Sequence, residues 1–398
     1  MRGRSRVFIP RDAVRRAKAP AAGPGQSVTI PLVSGKYFEN GATQWFANLG
    51  IGTPGQSLRI AIDTGGSFIW TTSSLCAPYS CLHAGGGRFV WEDSSTFHWV
   101  DQTPIPVDFG PWGSMTVEIG RDEIAFGAAA PLDLTMFLSE QYKGKQFDEL
   151  VWDGGIGMPS GSDYSDPRSS YFPAELMNAG LWDPDMPFVS FITDEGSDSG
   201  SVSFGSVDLD AVDLHSAVFL PWTPYTAYPN EKCLWTTPLY QYLVGHDVVA
   251  AGNVQFCLDS GSSAFKGDDY IMERTLKLVG TTPPQPDVTL VLGITPSGEP
   301  ARIVVPPSVY MVQVEGVQEP VPQFQPLGMK DAVLVGSVLM DQIYSVFWYD
   351  VTETGAGYHL APIGMWIFNK KDGPQLIQTR SETPFELPRR KHNTGAGA

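Results

Sequence analysis

Two aspartates stand in short turn sequences that occur twice along the chain. The first turn is Asp63-Thr64-Gly65-Gly66-Ser67, which follows the apolar run LRIAI, and the second is Asp259-Ser260-Gly261-Ser262-Ser263, which follows VQFCL. A single stretch of this kind is typical of an ordinary turn, since Asp, Ser, Thr and Gly are common at turns. Two copies at matched positions favour a site built from a pair of carboxylates.

A pair of carboxylates held face to face has a chemistry of its own. Both groups cannot ionise at low cost, so they share one proton and titrate together. The ionised member can activate a water molecule as a base, while the protonated member polarises a peptide carbonyl. This chemistry needs neither a metal nor a covalent nucleophile. The sequence therefore predicts peptide-bond hydrolysis by Asp63 and Asp259, with no cofactor and no metal.

Short strands must position these turns, because strand patterns dominate the chain. Stretches such as SLRIAID, GSMTVEIG and YSVFWYD are rich in β-branched or aromatic residues and are separated by turn residues. Helical patterns are limited to 172–179, 269–278 and a short stretch after Gly336. Each aspartate turn is followed later by a glycine in an apolar strand, in Gly155-Ile156-Gly157 and Leu334-Val335-Gly336. The predicted fold class is all-β, in two related halves.

The charge distribution restricts the partners of the chain. Its formal net charge is −17, yet residues 1–36 carry eight Lys or Arg and one acid. The acidic remainder would repel nucleic acid and anionic membranes, so neither is a predicted partner. No apolar run approaches the roughly 18 residues that indicate a membrane-spanning helix. An acidic surface also suits a protein that works at low pH, where many carboxylates are neutral.

Four cysteines are compatible with two disulfides. Cys76 and Cys81 bracket a short loop, and Cys233 and Cys257 flank a predicted hairpin just before Asp259. The even count favours an oxidising compartment. The start of the chain is basic but has no apolar stretch of the signal-peptide type.

The sequence gives no support for dinucleotide binding, for a histidine metal site or for a serine hydrolase. Residues 50–55 fit the dinucleotide pattern GxGxxG, but a strand follows them where that motif requires a helix. The six histidines show no metal-ligand spacing, and no GxSxG motif of a serine hydrolase occurs.

Over residues 36–366 the chain resembles the pepsin-like aspartic endopeptidases, those of fungi in particular. The stretches that carry the resemblance are WFANLGIGTPGQSLRIAIDTGGSFIW, CAPYSC, WDGGIGM, SGSVSFGSVD, CLDSGSSAF, PDVTLVL, VVPPSVYMVQ, VLVGSVLMDQIYSVFWYD and GYHLAPI. The resemblance implies a bilobal all-β fold, with a long cleft between two pseudo-twofold related lobes and both aspartates at its floor. It also implies polypeptide substrates, inhibition by pepstatin-type compounds and a monomeric protein, and it makes CAPYSC a disulfide loop.

The resemblance assigns supporting roles around the two aspartates. Thr64 and Ser260 would cross-link the two turns through hydroxyl-to-backbone hydrogen bonds, and Ser262 would hydrogen-bond Asp259. Further support of the turns is expected from Gly65, Ser67 and Gly261.

A flap that closes over substrate is expected at residues 108–120, supported by Trp70. The indole N–H of Trp112 could replace a donor that the family flap normally carries. The residues expected to form the flap or to contact substrate are Phe109, Gly110, Trp112, Trp70 and Ser263.

Three positions depart from the family pattern. Gly66 stands where the family usually has Ser, so it offers no hydroxyl to the first aspartate and predicts a raised pKa for Asp63. The flap tyrosine is replaced by Phe109, with Pro111-Trp112 adding one residue, and Ser337 stands where many relatives have Asp. These changes leave a second hypothesis open: a catalytically weak or inactive relative that binds peptides or inhibits another enzyme.

The predicted organisation has four parts. Residues 1–36 form a basic segment, either a flexible tail or the remnant of an inhibitory pro-segment. Residues 37–210 form the first lobe, 211–366 the second lobe, and 367–398 a disordered tail. An extracellular or vacuolar location is expected, although no signal peptide is visible in this chain.

Overall fold

The computed structural model describes residues 26–127, 129–194, 196–227 and 232–388. Strands dominate, as predicted for an all-β protein. In the first half of the chain they are β1 Val28–Ser34, β2 Trp45–Ile51, β3 Gln56–Asp63, β4 Ile69–Thr72, β5 His98–Asp108, β6 Ser114–Ala125, β7 Leu132–Lys143, β8 Gly154–Gly157, β9 Phe188–Asp194 and β10 Ser199–Phe204.

The second half repeats this strand-rich character and adds a few short helices. Its strands are β11 Val218–Pro221, β12 Thr236–Val244, β13 Asp247–Leu258, β14 Phe265–Gly267, β15 Val288–Ile294, β16 Pro300–Val305, β17 Met311–Val312, β18 Val321–Pro322, β19 Phe324–Pro326, β20 Ala332–Val335, β21 Ile343–Thr354 and β22 Gly357–Asn369. The α-helices are α1 Phe172–Asn178, α2 Asp269–Val279, α3 Pro307–Tyr310 and α4 Ser337–Met340. The sequence predicted α1, α2 and α4 but missed α3. No helix in the described ranges is long and apolar enough to cross a membrane.

Helix α2 shows how local sequence sets an element. The Asp268 side chain accepts a hydrogen bond from the Ile271 N–H and so caps the first turn. Lys277 lies in the last turn, where a positive charge complements the helix dipole. Gly280 follows with φ +63°, a conformation that ends a helix at low cost for glycine.

The two aspartate turns sit at equivalent places in the two halves. Strand β3 pairs in parallel with β8, placing Asp63 opposite Gly157. Strand β13 pairs in parallel with β20, placing Leu258 opposite Val335 immediately before Asp259. The next strands also correspond, because β4 runs antiparallel to β8 and β14 runs antiparallel to β20. The repeat found in the sequence is therefore a repeat of strand pairing.

Backbone pairing and a buried carboxylate join the halves. Strand β9 of the first half pairs antiparallel with β21 of the second. Asp341, after α4, is 5% exposed and accepts hydrogen bonds from Trp45 Nε1 at 2.8 Å, Gln44 Nε2 at 2.9 Å and Thr193 Oγ1 at 2.6 Å. The two halves are therefore joined both by strand pairing and by side-chain hydrogen bonds to Asp341.

Two predicted segment boundaries are wrong. Residues 28–34, assigned by their basic surroundings to an N-terminal segment, form β1, whose alternating buried and exposed side chains pack beside β10 and β2. Residues 370–388, assigned to a disordered tail, are described and packed: Leu376, Ile377 and Phe385 are buried. The rest of those two segments, 1–25 and 389–398, lies outside the described residues.

One of the two predicted disulfides is formed in the structure. Cys76 and Cys81 are bonded across the CAPYSC loop. Cys233 and Cys257 are both buried in one apolar cluster, and Cys233 Sγ lies 3.9 Å from the carbonyl oxygen of Gly65. The Cys233–Cys257 bond stays a prediction.

Candidate active site

The two aspartate turns meet and exchange hydrogen bonds. The Ser260 N–H donates to Thr64 Oγ1 at 2.9 Å, and the Thr64 N–H donates to Ser260 Oγ at 3.0 Å. Each hydroxyl also donates to a carbonyl of the opposite half, Thr64 to Leu258 at 3.2 Å and Ser260 to Ile62 at 2.6 Å. Because each hydroxyl bridges both halves, the turns hold one another in place.

The glycine of each turn faces the aspartate of the other. A Cβ atom on Gly261 would lie 2.3 Å from Asp63 Oδ1, and one on Gly65 would lie 2.6 Å from Asp259 Oδ1. Neither position has room for a side chain while the carboxylates keep their places. The reciprocal contacts bring the two carboxyl groups together at the crossing point of the turns.

The hydrogen bonds to the two carboxylates are not alike. Asp63 accepts from the Gly65 N–H at 2.8 Å and from the backbone of Gly66. Asp259 accepts from the Gly261 N–H at 3.0 Å and also from the Ser262 hydroxyl at 2.6 Å. Gly66 therefore leaves the first carboxylate without the hydroxyl donor that the second one has.

The surroundings of Asp63 favour its protonated form. Burial raises the pKa of Asp63 well above its usual value, and the neighbouring Asp259, through its charge and a hydrogen bond, raises that pKa further. The backbone hydrogen bonds from Gly65 and Gly66 oppose this rise. A pair in which one proton is retained at acid pH is the arrangement that acid–base hydrolysis needs.

A hairpin and its aromatic base stand where the flap is expected. Strands β5 and β6 form the hairpin, and the 3₁₀ turn Gly110–Trp112 makes its tip. The ring of Phe109 lies 6.5 Å from that of Trp70 and 6.0 Å from that of Phe68, between centroids. The Trp112 indole N–H donates to the carbonyl oxygen of Asn40 at 2.9 Å. The hairpin tip is thus hydrogen-bonded to the chain that precedes β2.

Comparison with known proteins decides the family. A sequence profile described as eukaryotic aspartyl protease matches residues 44–358, which is most of the chain. The chain belongs to this family.

Pepsins are among the relatives of this aspartyl protease. It is 26% identical to pepsin II-1 of Oryctolagus cuniculus over 257 residues, which cover 64% of this chain and 62% of that protein. It is 25% identical to pepsin A of Bos taurus over 319 residues, covering 77% and 81%, and 28% identical to pepsin A of Sus scrofa over 227 residues, covering 56% and 55%. The match thus spans less than two thirds of the Oryctolagus and Sus proteins. None of the three relatives is fungal, so the expected fungal origin gains no support.

Three further residues singled out from the sequence make hydrogen bonds to groups other than the two carboxylates. Ser263, expected to contact substrate, is fully buried, and its N–H donates to the Gly41 carbonyl at 3.0 Å. Its contact with substrate stays a prediction. The Ser337 hydroxyl donates to Gln44 Oε1 at 2.7 Å. The Ser67 carbonyl accepts from the Asp166 N–H at 2.8 Å. The Ser337 hydroxyl thus holds the Gln44 side chain, and the Ser67 carbonyl holds the backbone at Asp166.

Sequence reasoning missed one charged residue of this aspartyl protease site. Lys266, in β14, is 4% exposed and lies next to Ser262. A signal was available: Lys266 follows Asp259 by seven residues, as Trp70 follows Asp63. The lysine also lies inside the apolar stretch AFKG, at the position that corresponds to the flap-supporting Trp70, and this placement indicates a buried lysine near the second aspartate. Among the described residues, no three His, Cys, Asp or Glu side chains gather as a metal-binding group.

Proposed function

We propose that this aspartyl protease is an active endopeptidase that hydrolyses peptide bonds in extended polypeptides at acid pH. The observation that supports it most is the reciprocal packing of the two turns, which brings the carboxyl groups of Asp63 and Asp259 together. Catalysis uses a water molecule between the two carboxyl groups. The ionised carboxylate takes a proton from that water as it attacks the peptide carbonyl carbon.

The protonated carboxyl group donates to the carbonyl oxygen in the same step. A tetrahedral diol forms, and the carboxyl group that took the proton from water gives it to the peptide nitrogen. A diol hydroxyl returns its proton to the other carboxylate as the C–N bond breaks, which releases an acid and an amine. No covalent enzyme intermediate forms, because the attacking oxygen comes from water. The carboxyl pair ends with one proton, as it began.

The substrate binds as an extended strand between the flap and the turns. A peptide in this conformation can hydrogen-bond through its backbone to the hairpin edge above it. The aromatic rings of Phe68, Phe109 and Trp70 lie together beneath the flap, so apolar side chains are favoured beside the cut bond. The proposed partners are polypeptide substrates and pepstatin-type inhibitors. We also propose that the protein acts as a monomer, and that it works in an extracellular or vacuolar compartment.

Activity should be confined to acid pH because one proton is required on the pair. The raised pKa of Asp63 keeps that proton bound over the acidic range. As pH rises through this pKa both carboxylates become ionised, the donor to the carbonyl oxygen is lost and hydrolysis stops.

Cleavage of an unfolded protein substrate between pH 2.5 and 7, with and without pepstatin, tests the proposal. Acid-dependent cleavage that pepstatin abolishes is expected. Asp63→Asn and Asp259→Asn should each lose at least a thousandfold in kcat, since each removes one member of a pair that acts as a unit. Asp247→Asn, at the exposed far end of the strand that leads to Asp259, is the matched control and should keep full activity.

Two results would contradict the proposal. Full activity of the Asp63→Asn variant would exclude the paired-carboxylate mechanism. Absence of cleavage at every pH by a folded protein that still binds pepstatin would favour the second hypothesis, a relative that only binds peptides. The lost hydroxyl at Gly66 is the feature that favours that second outcome.

A further inference from the structure

Lys266 is a buried cation behind the second aspartate. Its Nζ atom donates to Ser262 Oγ at 3.0 Å and to the carbonyl oxygen of Gly41. Ser262 in turn donates to Asp259 Oδ2 at 2.6 Å. The ammonium group therefore lies two hydrogen bonds from the carboxylate. Because Lys266 is only 4% exposed, it cannot serve as a surface contact for substrate.

The direction of these hydrogen bonds follows from elementary chemistry. An ammonium group has donors and no acceptor, so the Ser262 oxygen must accept from Lys266. A hydroxyl has one proton, and that proton is then directed to Asp259 Oδ2. Asp259 Oδ2 is the acceptor of this hydrogen bond, and a hydrogen bond donated to an ionised carboxylate is stronger than one donated to a neutral carboxyl group. The lysine thereby favours the ionised form of Asp259 through geometry as well as through charge.

The first half-site has no equivalent arrangement. The counterpart of Ser262 is Gly66, which has no hydroxyl, and the counterpart of Lys266 is Trp70, which has no charge. Apart from its contact with Asp259, Asp63 is left with backbone donors. The two turns are therefore alike in backbone pairing, but the second has a positively charged side chain next to it, that of Lys266, at the position where the first has Trp70.

The charge of Lys266 is constant over the acidic range. Burial lowers the pKa of Lys266 to about 8, against the attraction of Asp259 and Asp63. These two aspartates are the charged groups that act on Lys266 in the described part of the chain, and its other hydrogen-bond partners, Gly41 and Ser262, are uncharged. Below pH 7 the lysine stays protonated while the aspartate pair titrates.

We infer that Lys266 is a positioning residue which, through Ser262, holds Asp259 as the ionised base and leaves the shared proton on Asp63. This inference rests on the proposed function and assigns distinct roles within it. Asp259 takes the proton from water, and Asp63 donates to the peptide carbonyl. The cation also compensates for Gly66, since it favours ionisation of a pair that lacks one hydroxyl donor.

The test is the pH profile of kcat/KM for Lys266→Met and Lys266→Gln, with a short peptide substrate. Loss of the positive charge should raise both pKa values of the pair, so both limbs of the bell-shaped profile should move up by about one pH unit. On the acidic limb this is a roughly tenfold loss of kcat/KM, mostly in kcat. Lys277→Met, which removes an exposed lysine from α2 in the same half, should leave the profile in place.

The two variants separate charge from structure. Gln keeps a donor for Ser262 and loses the charge, so a profile shifted equally in both variants supports the inference. A bell that only becomes lower without moving, or a wild-type profile restored by Gln, would overturn it. Circular dichroism checks that both variants fold.

A second readout does not depend on turnover. The infrared carbonyl band of the protonated carboxyl group can be isolated as the difference between each protein and its Asp63→Asn counterpart. We expect the band to disappear, on raising the pH, about one unit later in Lys266→Met than in the wild type. An unshifted band overturns the charge inference. An inactive wild-type protein with a shifted band instead contradicts the proposed function and retains the electrostatic role of Lys266.

Discussion

Asp63 and Asp259 differ in what donates to them, although their turns are related by the same strand pairing. Asp259 accepts a hydrogen bond from the Ser262 hydroxyl and has Lys266 behind that hydroxyl, whereas Asp63, apart from its contact with Asp259, accepts from backbone N–H groups. The pKa of Asp63 is raised, mainly because the group is buried and then because Asp259 is close. Burying a carboxyl group whose pKa is raised in this way costs free energy of folding at a pH where the group is ionised.

Asp63→Asn should therefore raise the free energy of unfolding at pH 7. The pKa of Asp63 in the folded protein lies above its usual value of 3.8, so the folded state holds a proton that the unfolded chain has released. The resulting stabilisation is complete below the unfolded pKa and is lost as pH rises through the folded pKa. At pH 7 the ionised group is unfavourable, and an amide avoids that cost.

Urea unfolding at pH 4 and pH 7 measures this effect. The gain from Asp63→Asn should be present at pH 7, where the folded state has lost the proton, and it should shrink toward pH 4, where the folded state still holds it. The exposed Asp247→Asn variant is the control, with little change at either pH. Equal gains at both pH values would show that the raised pKa is not the cause.

At the scale of elements, the flap hairpin is joined to the second half-site through residues 40–43. Trp112 at the hairpin tip donates to the Asn40 carbonyl, and Lys266 donates to the Gly41 carbonyl. The Thr43 N–H donates to the Gly261 carbonyl at 2.9 Å. One short segment therefore contacts the flap tip, the buried lysine and the second aspartate turn.

Trp112→Phe should weaken substrate binding by removing the indole N–H. The net contribution of one such hydrogen bond is about 0.5–1.5 kcal/mol, so kcat/KM should fall by about threefold to tenfold, mainly through KM. Steady-state kinetics with one peptide at the pH optimum measures the change. Trp99→Phe, in β5 at the other end of the same hairpin, should have no such effect, and equal losses in both variants would point to general destabilisation instead.

The elements were largely predictable because their signals are local. The turn chemistry of both aspartates, the flanking strands and the α2 pattern are visible in short windows. The tail at 370–388 was not, because its buried residues Leu376, Ile377 and Phe385 are too sparse to give a period. The burial of Lys266 was also hidden, since a charged residue is ordinarily read as exposed and tertiary packing alone places it inside.

At the scale of the whole molecule, the halves are held together beneath the site as well as at it. Strand β9 pairs with β21 across the boundary. Asp341 accepts hydrogen bonds from two separate parts of the first half, the adjacent Gln44 and Trp45 and the distant Thr193. Because this carboxylate is 5% exposed, its donors cannot turn to water when it is removed.

Asp341→Ala should lower the free energy of unfolding by about 3–5 kcal/mol. Removing the acceptor leaves several buried donors without their partner, and unsatisfied buried groups are among the costliest defects in a fold. Urea denaturation monitored by tryptophan fluorescence measures the loss. Asp350→Ala, at an exposed position of β21, should stay within about 0.5 kcal/mol of the wild type. A loss below 1 kcal/mol for Asp341→Ala would mean that these bonds do not fasten the halves.

Under the proposed function, the position of residues 40–43 links peptide affinity to proton affinity. A peptide that displaces the flap acts on Asn40, one residue from the carbonyl that holds the Lys266 ammonium. By reciprocity, the free energy with which a bound peptide changes protonation equals that with which protonation changes peptide binding. Selection for a new cleavage preference would therefore alter the working pH, and adaptation to a new pH would alter which sequences are cut.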